Sequence, residues 1–339
     1  MRKKYIKEKQ IELCDIIEEE IKENSLRQGF SKNLIKYSKS LTQKKTFEHK
    51  DFTDIPFVTI DGEQSKDFDD AVWSTNKNNK SKVFIAIADV SFYVQDGDPL
   101  DQEAKKRGNS FYFPDRVIPM LPEEISNNLC SLNPHEAKKC IIIEAQLYSG
   151  QLKSFKIHRG IIKSVGRLTY NQVDDVMFSK KIKSKYFKII KDLFITYEFL
   201  KEKSQVRGKL NFERKEFEIK EDKKKIIFEK KKKLESYNLI EEFMILANSI
   251  IGKILKKNNV KSIYRNHEQP TNEKILNLKK IINEFDIKYR GSFRTQIDIK
   301  HLQEIFKKKK VLYLNDFLLK SQSKAYYENK NKGHFGLSL

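Results

Sequence analysis

The sequence predicts a mixed α/β (α+β) fold, with strands gathered early in the chain and helices late. Two patterns predict it. Short β-prone apolar runs closed by turn residues recur between Phe57 and Ile157, and a stretch from Leu239 to Leu255 repeats apolar residues at helical spacing. With 339 residues the chain can bury a substantial core. Hydrophobic residues at 38% and aromatic residues at 11% argue against global disorder.

The elements follow in order. Ile11, Leu13, Ile16, Ile17 and Ile21 approximate helical spacing between acidic positions and predict a helix to about Asn24. Ser38 to Asp54 is polar and Lys-rich and reads as a connector. Phe57 to Ile60 predicts a strand ending at the turn Asp61-Gly62. Ala71 to Trp73 and Val83 to Ala88 predict two more, separated by a polar turn from Asn76 to Lys82. Gly97-Asp98-Pro99 marks a turn, and a short helix begins over Leu100 to Lys106. Cys140 to Leu147 reads as a buried strand, with Gln151 to Ile157 its hairpin partner across Ser149-Gly150.

In the later half, Leu239, Ile240, Phe243, Met244, Ala247, Ile250, Ile251, Ile254 and Leu255 form the strongest helical pattern. Helices are also predicted over Asn272 to Glu284 and Val311 to Tyr326. The Lys runs at Lys223–Lys225, Lys230–Lys233 and Lys307–Lys310 read as solvated faces or loops, since blocks of like charge stay exposed.

Lys+Arg of 68 against Asp+Glu of 47 gives a formal charge of +21, which favours polyanionic partners. Much of the excess is Lys scattered among Ile and Asn, which coding bias explains equally well, so charge alone decides nothing. Cys14, Cys130 and Cys140 are far apart, which disfavours a structural zinc site or a disulfide framework and suits a reducing compartment. The charged N-terminus leads into no apolar signal region, and the longest apolar stretches are too short to span a bilayer. A cytoplasmic protein with no membrane partner is the expectation.

The chemistry concentrates in Ile60-Asp61-Gly62-Glu63-Gln64-Ser65-Lys66-Asp67-Phe68-Asp69-Asp70-Ala71-Val72. Asp61, Asp67, Asp69 and Asp70 held close together would repel one another unless cations neutralise them. The cluster holds neither His nor Cys, so the donors are all oxygen and select a hard ion, Mg²⁺ or alternatively Mn²⁺, over zinc. An EF-hand does not fit. Counted from Asp61, the sixth and twelfth positions are Lys66 and Val72 rather than Gly and Glu; counted from Asp67 they are Val72 and Asn78. Standing alone, a D-x-D-D could equally be an acidic surface turn.

Its neighbours favour more. Phe57-Val58-Thr59-Ile60-Asp61-Gly62 followed by Lys66-Asp67-Phe68-Asp69-Asp70-Ala71-Val72 resembles the signature of the ribonuclease II/ribonuclease R catalytic (RNB) domain. Ordered blocks extend the resemblance: Ile85 to Val94, Arg107 to Pro114, Pro119 to Pro122, Leu129 to Pro134, Arg167 to Tyr170, Ile240 to Asn248, Tyr264 to Pro270 and Gly333 to Leu337. It implies an RNB-like domain over residues 51–339 behind a helical extension over 1–50. It also implies a 3′→5′ exoribonuclease that hydrolyses RNA, expected to be single-stranded 3′ ends, to nucleoside 5′-monophosphates. Asp61, Asp67, Asp69 and Asp70 would then be catalytic and hold Mg²⁺ in a two-metal scheme. Tyr112 corresponds to a base-stacking tyrosine, Phe212 is the second aromatic jaw, and Tyr170 and Glu242 stand where the family tells ribose from deoxyribose. His267 and His334 are expected to be structural.

Two departures temper this. Relatives of that family carry small β-barrel RNA-binding domains before and after the region, and residues 1–50 are too short and too helical for one. In relatives, a segment bearing an arginine for the scissile phosphate comes next, where this chain stops at Leu337-Ser338-Leu339. The expectation is a domain lacking its C-terminal part, weakly active or inactive because an arginine aimed at developing charge is missing. A separate polypeptide that completes the site, or a non-catalytic basic RNA-binding remnant, are the alternatives.

Overall fold

The computed structural model describes residues 12–41, 49–179, 183–212, 217–222, 225–230 and 232–339. The chain enters through helices α1 (Leu13–Glu23) and α2 (Lys32–Ser40), then strands β1 (Lys50–Asp51), β2 (Val58–Asp61), β3 (Asp70–Lys77) and β4 (Lys80–Ala88). Helices α3 (Val90–Tyr93) and α4 (Pro99–Arg107) lead to a small hairpin of β5 (Phe111–Tyr112) and β6 (Val117–Ile118) and a π-helical turn, Glu124–Leu129. The long strands β7 (Ala137–Tyr148) and β8 (Gln151–Lys163) are followed by β9 (Gly166–Thr169), α5 (Tyr170–Phe178) and α6 (Phe187–Arg207). A second hairpin, β10 (Phe217–Asp222) and β11 (Lys225–Lys230), precedes α7 (Glu235–Lys257). The chain closes with β12 (Tyr264–Asn266), α8 (Asn272–Glu284), α9 (Gln296–Lys308), α10 (Leu314–Lys320), β13 (Tyr326–Glu328) and a 3₁₀ turn, Phe335–Leu337.

The frame is a seven-stranded sheet in the order β1-β8-β7-β4-β3-β2-β9, antiparallel inside and parallel at both edges. Its tight turns come from local residue chemistry. Asn78 and Asn79, at φ 47° and 60°, form the two-residue loop between β3 and β4. Ser149 and Gly150, at φ 45° and 76°, do the same between β7 and β8. Gly150 is needed twice, because a Cβ there would also lie 2.2 Å from the Phe199 carbonyl oxygen of α6.

Side chains alternate across the sheet, and both faces are covered. Val72, Val83, Ile85, Ile143 and Ala145 meet α5, α6 and α7 through Val173, Leu193, Phe194, Tyr197, Leu239 and Phe243. The opposite set, Ala71, Phe84, Ala86, Cys140 and Ile142, packs on Leu34 of α2, Leu100 of α4 and Ile125 and Leu129 of the π-helical turn. Two covered faces explain why Val83 to Ala88 is almost continuously apolar rather than alternating. A third cluster, with Leu278, Ile282, Ile299, Leu302, Phe306, Leu314 and Phe293, is built by α8, α9 and α10. A fourth joins Leu13, Ile17 and Ile21 of α1 to Ile118, Phe111 and Phe113 around the small hairpin.

Helix ends are set by caps. Asp98 accepts from the Asp101 amide with Pro99 in the first turn of α4. Thr169 and Gln172 form a capping box that starts α5 at Tyr170. Asp174 reaches from α5 to accept the amides of Glu235 and Ser236, both at 2.9 Å, and so caps α7.

Strands early and helices late is what the structure shows, with several corrections. The helix expected over Val311 to Tyr326 is helical only from Leu314 to Lys320; Tyr326 instead opens a strand opposite Asn266. The connector expected from Ser38 to Asp54 begins inside α2 and contains β1, and its residues 42–48 lie outside the described ones. The turn expected over Asn76 to Lys82 narrows to Asn78 and Asn79. Lys225 and Lys230 stand in a hairpin, part of whose Lys-rich surroundings (223–224 and 231) lies outside the described residues; Lys307 to Lys310 are exposed as expected. No helix of the described residues is long and apolar enough to cross a membrane.

Candidate functional site: a carboxylate cluster at the β2–β3 junction

Asp61 is the last residue of β2 and Asp70 the first of β3, and the antiparallel pairing of Val58 with Val72 brings these two strand ends together. The intervening loop carries Asp67 and Asp69 and is held from three sides. Arg167 on β9 donates to the carbonyls of Gly62 and Glu63, both at 2.7 Å. Ser131 accepts from the Phe68 amide at 3.0 Å and donates to the Lys66 carbonyl at 3.1 Å, pinning the backbone on either side of Asp67. The Leu132 amide donates to the Phe68 carbonyl and the Ala88 amide to the Asp69 carbonyl.

Electrostatics couple the aspartates of the cluster, each raising its neighbours' proton affinity. Burial pushes the Asp70 carboxyl up to about 7, with further upward pressure from Asp61 and Asp69. Burial also raises Asp61 to about 6, helped by Asp69 and Asp67 and opposed by the Arg167 guanidinium. Asp69 keeps an exposed face, yet surrounding protein and then Asp67 raise it to about 6. The Oδ2 atoms of Asp61 and Asp70 are buried and accept no hydrogen bond. Buried, crowded, unsatisfied carboxylate oxygens are costly without a counter-charge, and an all-oxygen donor set of this kind fits a hard divalent cation. Among the described residues, no three His, Cys, Asp or Glu side chains stand as a ready-made cage; mutual repulsion opposes closer approach.

The structure brings two of the expected RNA-binding residues to this cluster. Tyr112, on the small hairpin and 67% exposed, donates its hydroxyl to Asp67 Oδ2 at 2.8 Å. Although its ring is exposed, protein around the hydroxyl and then the Asp67 contact push its phenol up to about 12, so the hydroxyl remains a donor at neutral pH. Tyr170, the first residue of α5, is half-buried; burial and then the charges of Asp61 and Asp70 hold its phenol well above the usual range. Its ring lies 4.2 Å from that of Tyr237 on α7.

Phe212 and Glu242 are placed by other neighbours. Phe212 packs against the core of α8, α9 and α10. Glu242, on α7, is 6% exposed: Lys209 reaches over it, donating at 2.7 Å to both Glu241 and Glu242. Two residues at the cluster had no role assigned from sequence, Arg167 and Ser131. Their partners are backbone carbonyls and an amide more than sixty residues away in the chain, and no periodicity or local motif signals such a contact.

His267 and His334 form a bridge at the end of the chain. The Gly336 amide donates to His267 Nδ1 at 2.9 Å and His267 Nε2 meets the Ser323 carbonyl at 2.8 Å, so the ring is neutral with its proton on Nε2. The two rings are 4.9 Å apart, and burial first, then the repulsion that two protonated imidazoles so placed would suffer, lowers His334 to about 4. This arrangement fits the structural role expected of both.

A model of the RNB domain matches residues 49–339. The chain belongs to the RNB-domain family. Among curated RNB proteins, ribonuclease R of Escherichia coli is 35% identical over 299 residues, covering 85% of this chain and 37% of its own length. Ribonuclease R of Mycoplasma genitalium, solved with ribose-methylated single-stranded RNA, superposes with a TM-score of 0.90 at 27% identity, over 96% of this chain and 53% of that one. Yeast Ssd1, described as a pseudonuclease, shares the fold of this chain at a TM-score of 0.66 and 16% identity, over 93% of this chain and 38% of that one. This chain therefore spans well under two thirds of the length of these relatives.

Proposed function

We propose that this protein is a 3′→5′ exoribonuclease that hydrolyses RNA from its 3′ end to nucleoside 5′-monophosphates with Mg²⁺. The observation that carries the reading is the carboxylate cluster, with two buried oxygens lacking partners, in a chain of the RNB family. Asp61, Asp67, Asp69 and Asp70 would hold the ions. Bound there, Mg²⁺ supplies activation of the attacking water and charge stabilisation at the leaving oxygen.

The chain's own residues would do the rest. The loop contacts from Arg167 and Ser131 keep the carboxylates in place without waiting for substrate. The exposed ring of Tyr112 offers a face on which any terminal base can stack, and Phe212 is a second aromatic candidate. Tyr170, beside Asp61 and Asp70, and Glu242 are candidates for reading the ribose 2′-hydroxyl.

The test is 5′-labelled single-stranded RNA incubated with the purified protein and Mg²⁺. Shortening from the 3′ end with release of nucleoside 5′-monophosphates, however slow, and its loss in Asp70→Asn, is the expected result. The net charge of +21 supports a second reading, an RNA-binding protein without turnover. RNA that is retained but never shortened would overturn the hydrolytic reading in favour of that one.

A further inference from the structure

The two flanks of Asp67 are pinned by one side chain, Ser131, which holds the Lys66 carbonyl and the Phe68 amide. What stays free is the rotation of the Asp67 side chain itself. That freedom is removed by the Tyr112 hydroxyl, whose hydrogen bond to Asp67 Oδ2 crosses 45 residues of sequence.

The donor is itself held firmly. Its hairpin closes through the Phe113 amide and Arg116 carbonyl at 2.9 Å, and Ser110 accepts from the Met120 amide at 3.0 Å. Phe111, Phe113 and Ile118 pack on Leu13, Ile17 and Ile21 of α1, and Arg116 pairs with Glu18 on the same helix. One arm of Tyr112 is thus engaged with a carboxylate while its ring stays 67% exposed.

We propose that Tyr112 is a positioning residue for the divalent-ion site, orienting Asp67 through its hydroxyl, in addition to any base that its ring stacks upon. The inference rests on the reading of the aspartates as ion ligands. Hydrogen-bond partners behind a metal ligand fix its orientation, and their removal costs about 10–100-fold in metal affinity. Loss of the hydroxyl alone therefore acts on the ion, whereas loss of the ring acts on RNA.

Binding of Mn²⁺ to the full chain, followed by the electron paramagnetic resonance signal of the free ion, reads the first effect directly. Tyr112→Phe is expected to weaken Mn²⁺ binding about tenfold. Its affinity for a single-stranded oligoribonucleotide in EDTA should match the unmodified protein, whereas Tyr112→Ala should weaken both. Unchanged Mn²⁺ affinity in Tyr112→Phe, with Asp61→Asn abolishing binding, overturns this inference and leaves the ion site standing. Unchanged affinity in Asp61→Asn places the ion elsewhere and overturns both.

Discussion

Replacing Asp70 by Asn should stabilise the metal-free protein, and the size of the effect follows from the site. Asp70 is lifted from 3.8 to about 7, by burial first and by the charges of Asp61 and Asp69 second. A carboxyl held above its unfolded value gives stability that is fully present below pH ~4 and lost as pH rises through about 7. The gap is roughly three tenfold steps in proton affinity at about 1.4 kcal/mol each, an upper limit of ~4 kcal/mol at pH 8. Relaxation and water entry reduce such penalties, so a gain of ~1–3 kcal/mol is expected from the neutral isostere. At on the order of 2 °C per kcal/mol, the melting temperature in EDTA at pH 8 should rise by roughly 2–6 °C. The gain should vanish at pH 4, where Asp70 is protonated, and Mg²⁺ should stabilise the unmodified protein more than the variant. Differential scanning calorimetry at the two pH values, with EDTA or Mg²⁺, reads all three. A variant less stable than the parent at pH 8 in EDTA, or a gain equal at both pH values, would refute the electrostatic account.

Three further substitutions probe the supports. Arg167→Gln frees the Gly62 and Glu63 carbonyls and removes the cation that restrains Asp61, so it should cost ~1–3 kcal/mol in chemical denaturation and weaken Mn²⁺ binding measured by calorimetry. Lys209→Met leaves Glu242, 7% exposed at its side chain, without its cation and should cost about 3 kcal/mol; adding Glu242→Gln should restore most of that in the same melting assay. The neutral His267–His334 bridge has imidazoles held below 6.5, so its stability is present above that pH and lost as pH falls toward about 4. Protection of the Gly336 amide from hydrogen exchange, taken relative to its intrinsic rate at each pH, should therefore fall between pH 7 and pH 4.5, and lose that dependence in His267→Asn.

Much of the frame was legible because its signals are local. Ser149-Gly150 announced the β7–β8 hairpin through backbone conformations that few residues adopt without cost, and α8 spans the residues its apolar spacing marked. Helix α6 escaped notice although it buries Ile190, Leu193, Phe194, Tyr197 and Leu200. Phe187 and Ile189 precede those positions and Ile195 and Phe199 lie between them, so apolar residues run all round the helix and blur its stripe. Val311 to Tyr326 misled in the opposite way, as its spacing continued while pairing with Tyr264 to Asn266 took its last residues into a strand.

At the site, four aspartates within ten residues were visible as a cluster, and their all-oxygen chemistry followed from composition alone. What holds them was not. Arg167, Ser131 and Tyr112 reach the Asp61–Asp70 segment from 45 or more residues away, and Lys209 buries Glu242 from 33 residues away. Such contacts exist only once the chain has folded.

The central idea is that acidic side chains from β2, β3 and the loop between them converge on divalent ions. Crystals soaked in Mn²⁺ and measured for anomalous scattering address it directly. Density within coordination distance of Asp61 and Asp70, reduced or lost in Asp70→Asn, is predicted; Mn²⁺ found only at surface carboxylates elsewhere would contradict it.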